Sequence, residues 1–328
     1  MFDYKEAIMK NLLLATAIAA TLQLSLANDA EAAQVKEVEF ESNNQTLVGN
    51  LYLPDDYQKG TKLPATVITG AWTTVKEQMP ANYAEAMADR GYAALVFDFR
   101  NWGESGGNER QLENPTNKTQ DIIAAANYLT TLVEVDADRI AGLGICASAG
   151  YMADAAVQSE DIKSIALVAP WLHNQEIVNE VYGGEESVQN LIATSQKAQE
   201  KYETTGELSL VPAASMTDEN AVMYQAPYYT EADRGAIPEY VNEFNLASWQ
   251  GWLTYDAIST ADNLDKPVMI IHSEAAAIPQ GAKEFYSRLS GEKEQLWLDD
   301  VSQFDFYDSP EAVTTASDAV AKHFEQTL

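Results

Sequence analysis

The residues best suited to chemistry lie in the run Gly144-Ile145-Cys146-Ala147-Ser148. An apolar stretch from Arg139 leads into it and helical spacing follows from Tyr151, so it reads as a buried strand that turns sharply into a helix. A nucleophile at such a strained corner needs small neighbours, and here Gly144 and Ser148 flank Cys146. A second register, Cys146-Ala147-Ser148-Ala149-Gly150, would put Ser148 at the corner. The strand length favours Cys146, with Ser148 in the first helical turn. Unless it reacts, Cys146 is a small buried hydrophobe, the usual state of a free cysteine.

A thiol is the nucleophile only as thiolate, and a neighbouring imidazole lowers its pKa. The chain has three histidines. His323 falls in the last helical stretch and is expected on the surface. His272 ends an apolar run beside Glu274, which either orients a histidine or faces solvent. His173 follows the strand expected next to the one that carries Cys146. It is therefore the expected partner of the thiol, or else an anchor for the loop that follows. Backbone N–H groups of Ala147 and of a residue near Trp72 are expected to form an oxyanion hole. Trp72, Trp102, Tyr224, Tyr228 and Tyr229 are candidates for an apolar pocket. Lys76-Glu77-Gln78 reads as a solvated helix start. No metal or cofactor pattern is read.

The elements that must position these groups follow from the hydrophobic pattern. Residues 35–42 and 46–53 read as a hairpin joined at Asn43-Asn44-Gln45. Short apolar runs at 65–69, 93–97, 140–145, 165–169, 267–272 and 294–298 read as buried strands. Helical spacing at 81–90, 119–132, 281–289 and 310–324 alternates with them. This β-α rhythm predicts a mostly parallel sheet with helices on both faces. It breaks between 174 and 261, where helical pieces (187–204, 248–258) and the aromatic loop 223–229 stand without a buried strand. An insertion of that length is expected to be a helical cap over the site. The expected organisation is a core of residues 33–173 and 262–328 with a cap of residues 174–261.

Of the 328 residues, 46% are hydrophobic, and the formal net charge is −30. So acidic a chain is not expected to bind nucleic acid, whose phosphates require a basic surface. Residues 12–20 begin an apolar stretch of signal-peptide length, too short to span a membrane. Cleavage is expected after Ala30-Glu31-Ala32 or Ser25-Leu26-Ala27, and Met9-Lys10-Asn11 is a better start than the acidic residues before it. Residues 1–32 are accordingly expected to be a signal peptide, and the mature protein periplasmic or secreted. A single cysteine excludes an intrachain disulfide. The oligomeric state is left open.

The layout resembles the α/β-hydrolase fold, and within it the dienelactone-hydrolase-like branch, in which Cys replaces the common Ser. The resemblance rests on the loop of residues 70–78, on Asp98-Phe99-Arg100-Asn101-Trp102-Gly103-Glu104-Ser105-Gly106, on Asp136-Ala137-Asp138-Arg139-Ile140 and on the Cys146 turn. It implies cleavage of a small ester, thioester or lactone. Two positions depart from the branch. Ala276 stands where its acid would be, and Gln303 stands where its histidine would be. Gln cannot take a proton at neutral pH. A non-standard base is then required, or the protein binds a small molecule without turnover.

Overall fold

A computed structural model describes residues 33–328, so the expected leader over residues 1–32 lies outside the described residues. Strands β1 (Gln34–Ser42) and β2 (Gln45–Leu53) form the hairpin. Its turn is one residue shorter than expected, because Asn43 and Asn44 both take positive φ (48° and 64°). Two such residues close a two-residue turn whose twist matches the strands. Next come β3 (Leu63–Thr69), α1 (Met79–Ala88), β4 (Ala93–Phe97), α2 (Pro115–Thr130), β5 (Val135–Ile145), α3 (Ser148–Gln158) and β6 (Ile162–Val168). Helix α2 begins four residues earlier than its apolar spacing suggests. Pro115 pre-sets the first turn, and the Asn114 side chain accepts a hydrogen bond from the Asn117 amide.

After β6 the chain inserts α4 (Gln175–Val181), α5 (Glu185–Thr205) and α6 (Ser248–Leu253). No buried strand was expected in the insertion, and the strands it holds are two or three residues long and none is buried throughout. Leu210–Pro212 pairs with Glu243–Asn245, and Ala214–Ser215 with Met223–Tyr224. Two or three residues are too few for an alternating pattern to show in sequence. The core resumes with β7 (Val268–Ser273), α7 (Pro279–Arg288), β8 (Lys293–Leu298), the single turn α8 (Asp305–Asp308) and α9 (Pro310–Thr327).

The eight strands form one sheet in the order β1-β2-β4-β3-β5-β6-β7-β8. Pairings β1–β2 and β2–β4 are antiparallel, and the remainder are parallel. Every residue of β4 and β7 is buried, as strands covered on both faces require. Helices α2, α3 and α7 cover one face, and α1 and α9 the other. Each buried Val, Leu, Ile or Phe contributes about 1.5–3 kcal/mol. The inner strands are therefore rigid, and β5 delivers its carboxyl end to a fixed place between β3 and β6.

Candidate active site

Cys146 follows β5 directly and occupies the corner with φ 58°. Its N–H donates to the Val168 carbonyl (3.0 Å), and its own carbonyl accepts from the Trp171 amide (2.9 Å). Both ends of the corner are thus tied to the exit of β6. Gly144 lets α3 close over the strand, since a Cβ there would lie 2.8 Å from Ala149 Cα and 2.9 Å from the Ser148 carbonyl. Ser148, the competing nucleophile, is wholly buried. Its hydroxyl donates to the Thr69 carbonyl (2.8 Å) and accepts from Thr69 Oγ1 (2.9 Å) and the Ile145 amide (3.1 Å). It locks the turn and has no access to a substrate.

The Cys146 sulfur has the backbone amides of Ala147 and Trp72 and the Tyr307 hydroxyl as its polar neighbours. Burial raises the thiol pKa and outweighs these three contacts, which act in the opposite direction. This reverses the expectation of a thiol lowered by an imidazole. The Trp72 ring stacks on Trp252 (centroids 5.0 Å) and meets Phe244 (4.9 Å) and Trp249 (5.7 Å), all from the insertion. The insertion therefore clamps the loop that carries the Trp72 amide. Thr73 beside it takes φ 64°, strained for a β-branched residue.

The other end of that loop is held by charge. Lys76 is buried, not solvated as its sequence context suggested. Its ammonium contacts Asp98 Oδ2 (2.9 Å), Glu104 Oε2 (2.6 Å) and Glu77 Oε1 (2.6 Å), and its amide donates to Asp98 Oδ1 (2.8 Å). Burial alone would depress the Lys76 pKa, but Asp98 and the bonds to Glu104 and Glu77 hold it above its ordinary value. Ligand oxygens of Glu77, Asp98 and Glu104 lie within 4.8 Å of one another, close enough to hold a metal ion. The ammonium supplies the cation there instead.

None of the three histidines serves the thiol. His173 leaves β6 beside the corner, but its Nδ1 accepts from the Trp171 indole (3.0 Å) and its Nε2 faces the Trp252 carbonyl (3.2 Å). That pairing places the proton on Nε2 and leaves no free nitrogen. Burial lowers the His173 pKa to about 4, so the ring is neutral. It anchors the insertion, through Trp252 and through its carbonyl, which accepts from the Ala257 amide (3.0 Å). His272 is buried, accepts from the Ser273 amide (2.8 Å), and is likewise lowered to about 4 by burial. His323, expected on the surface, is buried against Ser164 (3.0 Å) and Glu294 (3.4 Å). Glu274 is exposed and pairs with Lys283 (2.5 Å) and the Trp297 indole (2.8 Å), so it orients no histidine.

A cavity of 390 Å³ opens over the thiol. The insertion contributes Val181, Tyr182, residues 222–226, Tyr229 and Trp252, and the core contributes Trp72, Cys146, Ala147, Trp171, Ala277, Gln303, Phe304 and Tyr307. No charged side chain is among them. Of the five aromatic residues expected at the pocket, Trp72, Tyr224 and Tyr229 line it. Trp102 is buried elsewhere: its indole donates to the Leu112 carbonyl (3.0 Å), and the Lys118 ammonium lies 5.1 Å from its ring. Tyr228 lies behind the wall, edge-on to Tyr229 and Tyr307 (5.1 Å each).

Gln303 does line the cavity, but as a tie. Its Oε1 accepts from the Ala277 amide (3.0 Å), and its Nε2 donates to the Ala169 carbonyl and to Tyr307 Oη (both 3.0 Å). Tyr307 is the residue that sequence reasoning missed. It stands four positions after Gln303, one helical turn away, and that spacing was the available signal.

A mostly parallel eight-stranded sheet covered on both faces, with a strained turn after its fifth strand, is the α/β-hydrolase fold. Within it the chain belongs to the X-Pro dipeptidyl-peptidase (S15) family, whose profile matches residues 44–302. It is 32% identical to the uncharacterised protein YcjY of Escherichia coli strain K12, across 88% of this chain and 97% of that protein. The crystal structure of the hypothetical protein PA2218 from Pseudomonas aeruginosa superposes with a TM-score of 0.81 at 26% identity, covering 91% of this chain and 95% of that one. A thiohydrolase of Aspergillus aculeatus, aneE, is 29% identical across 48% of this chain and 49% of that protein. Among the described residues no helix is long and apolar enough to cross a membrane.

Proposed function

We infer that this α/β-hydrolase uses Cys146 to take an uncharged, apolar acyl group from a small ester, thioester or lactone. The observation that carries the reading is a thiol at a positive-φ corner, beside two backbone amides, on the floor of an aromatic cavity with no charged lining. The amides of Ala147 and Trp72 beside the sulfur are the donors that would stabilise charge developing on a carbonyl oxygen during acyl transfer. A thiol needs less help from a base than a hydroxyl does, because sulfur is intrinsically the stronger nucleophile and holds its proton less tightly. The thiohydrolase relative agrees with a thioester, and the Cys corner agrees with the dienelactone-hydrolase-like branch. Removal of an amino-terminal X-Pro dipeptide fits less well. The substrate ammonium would enter without a carboxylate to meet it, at a large desolvation cost.

A panel of short-chain thioesters and aryl esters tests this reading. Neutral acyl groups are expected to turn over, and succinyl or aminoacyl counterparts to be at least about tenfold worse, as burying an unpaired charge demands. A preference for charged acyl groups would sink it. The second reading, binding without turnover, is favoured by one observation: all three histidines are engaged away from the thiol. Ligand binding without product across the panel would select it.

The protein is also proposed to be exported. Support comes from the apolar stretch beginning at Leu12 and the two small-x-small cleavage sites. Amino-terminal sequencing of the protein from its native host is expected to find a start between Asn28 and Ala33. An intact residue 1–20 segment would refute the cleavage.

A further inference from the structure

The hydrogen bonds around Gln303 have a direction. The Ala277 amide can only donate, so it takes the oxygen of the Gln303 side chain, and the Ala169 carbonyl can only accept, so it takes the nitrogen. The amide is thereby oriented by two backbone groups from different loops. Its second N–H points at Tyr307 Oη, which must act as acceptor. The Tyr307 hydrogen is then free for an acceptor other than Gln303, and Cys146 Sγ and Tyr229 Oη are the hydroxyl's other polar neighbours. Tyr307 is fully buried, and burial together with the neighbouring Cys146 holds its pKa well above the ordinary tyrosine value. It is a neutral donor at any ordinary pH. Tyr229, the alternative acceptor, has its own hydroxyl 3.4 Å from the Trp72 carbonyl.

We propose that Tyr307 is a catalytic acid of this site, and that Gln303 is the positioning residue that aims its proton. The proposal rests on the reading of Cys146 as the acyl acceptor. In the acylation step the S–C bond forms and the bond from the carbonyl carbon to the leaving oxygen or sulfur breaks. The Tyr307 proton passes to the leaving atom as the thiol proton passes to Tyr307 Oη. The phenol ends as it began, and the leaving group departs neutral. The same geometry explains how a thiol whose pKa is raised still reacts. No separate thiolate has to be populated when its proton leaves in the step that forms the S–C bond.

Leaving-group dependence tests this assignment. Two esters of one neutral acyl group are compared, one releasing p-nitrophenol and one releasing ethanol. A p-nitrophenolate leaves unaided, whereas ethoxide needs a proton. Tyr307→Phe is expected to slow the ethyl ester by about 10²-fold, within the usual range for a general acid, and the nitrophenyl ester by a clearly smaller factor, because nitrophenolate needs no proton although the thiol must still lose one. Gln303→Met is expected to slow the ethyl ester in the same selective way, with no further loss when combined with Tyr307→Phe. Equal losses on both esters, or none, would overturn the assignment. If Tyr307→Phe does not fold, 3-fluorotyrosine at position 307 keeps the ring and changes the acidity alone. It is expected to alter the ethyl ester rate more than the nitrophenyl ester rate, and unchanged rates on both would also overturn the assignment. Cys146→Ala is run in parallel. Turnover surviving there defeats the underlying reading, whereas uniform losses in Tyr307→Phe with a dead Cys146→Ala defeat only the acid.

Discussion

Replacing Cys146 by alanine is expected to reduce turnover of a neutral aryl thioester to the uncatalysed rate, a loss on the order of 10³-fold or more. The corner leaves no substitute. Ser148 is two residues on, but its hydroxyl is consumed by Thr69 and Ile145. The amides of Ala147 and Trp72 would still polarise a carbonyl, so binding is expected to survive while chemistry does not. The wild-type thiol has its own signature. Burial raises its pKa, so it is protonated at neutral pH. Iodoacetamide is therefore expected to label Cys146 slowly at pH 7 and faster as the pH passes the ordinary thiol value of 9.0. Rapid labelling at neutral pH would show a thiolate that these surroundings do not support. Full activity in Cys146→Ala would remove the residue from the mechanism.

The second large effect is on stability. Lys76→Met is expected to destabilise the fold by about 3–5 kcal/mol, the usual cost of removing one partner of a buried ion pair. Asp98 is wholly buried and would be left without its cation, with Glu77 partly buried beside it. Methionine fills much the same volume, so the loss reports charge rather than a cavity. Lys76 lies four residues after Trp72 in one loop, so the same change is expected to lower turnover by loosening the Trp72 amide. Urea unfolding measures the first effect and the thioester assay the second. A destabilisation below about 1 kcal/mol would mean that solvent reaches the cluster, as it does at surface pairs.

The sequence by itself determined the architecture. Runs such as 93–97 and 268–271 are apolar at every position, and only a strand covered on both faces buries such a run. Their alternation with helical spacing specified a parallel sheet, and the small residues around Cys146 specified where its central strand must turn. These are properties of neighbouring residues, and neighbours are what a sequence displays. Which side chains meet at the site was decided by the tertiary structure. His173 is near the corner along the chain, yet an indole and a carbonyl from residues 171 and 252 take both its nitrogens. Lys76 reads as solvated until Asp98 and Glu104 close on it. Gln303 reads as a lost histidine until the Ala169 carbonyl, 134 residues away, and the Ala277 amide orient it toward Tyr307. Desolvation and hydrogen-bond direction set what a polar side chain can do, and both are imposed by groups that the fold alone brings within 3 Å.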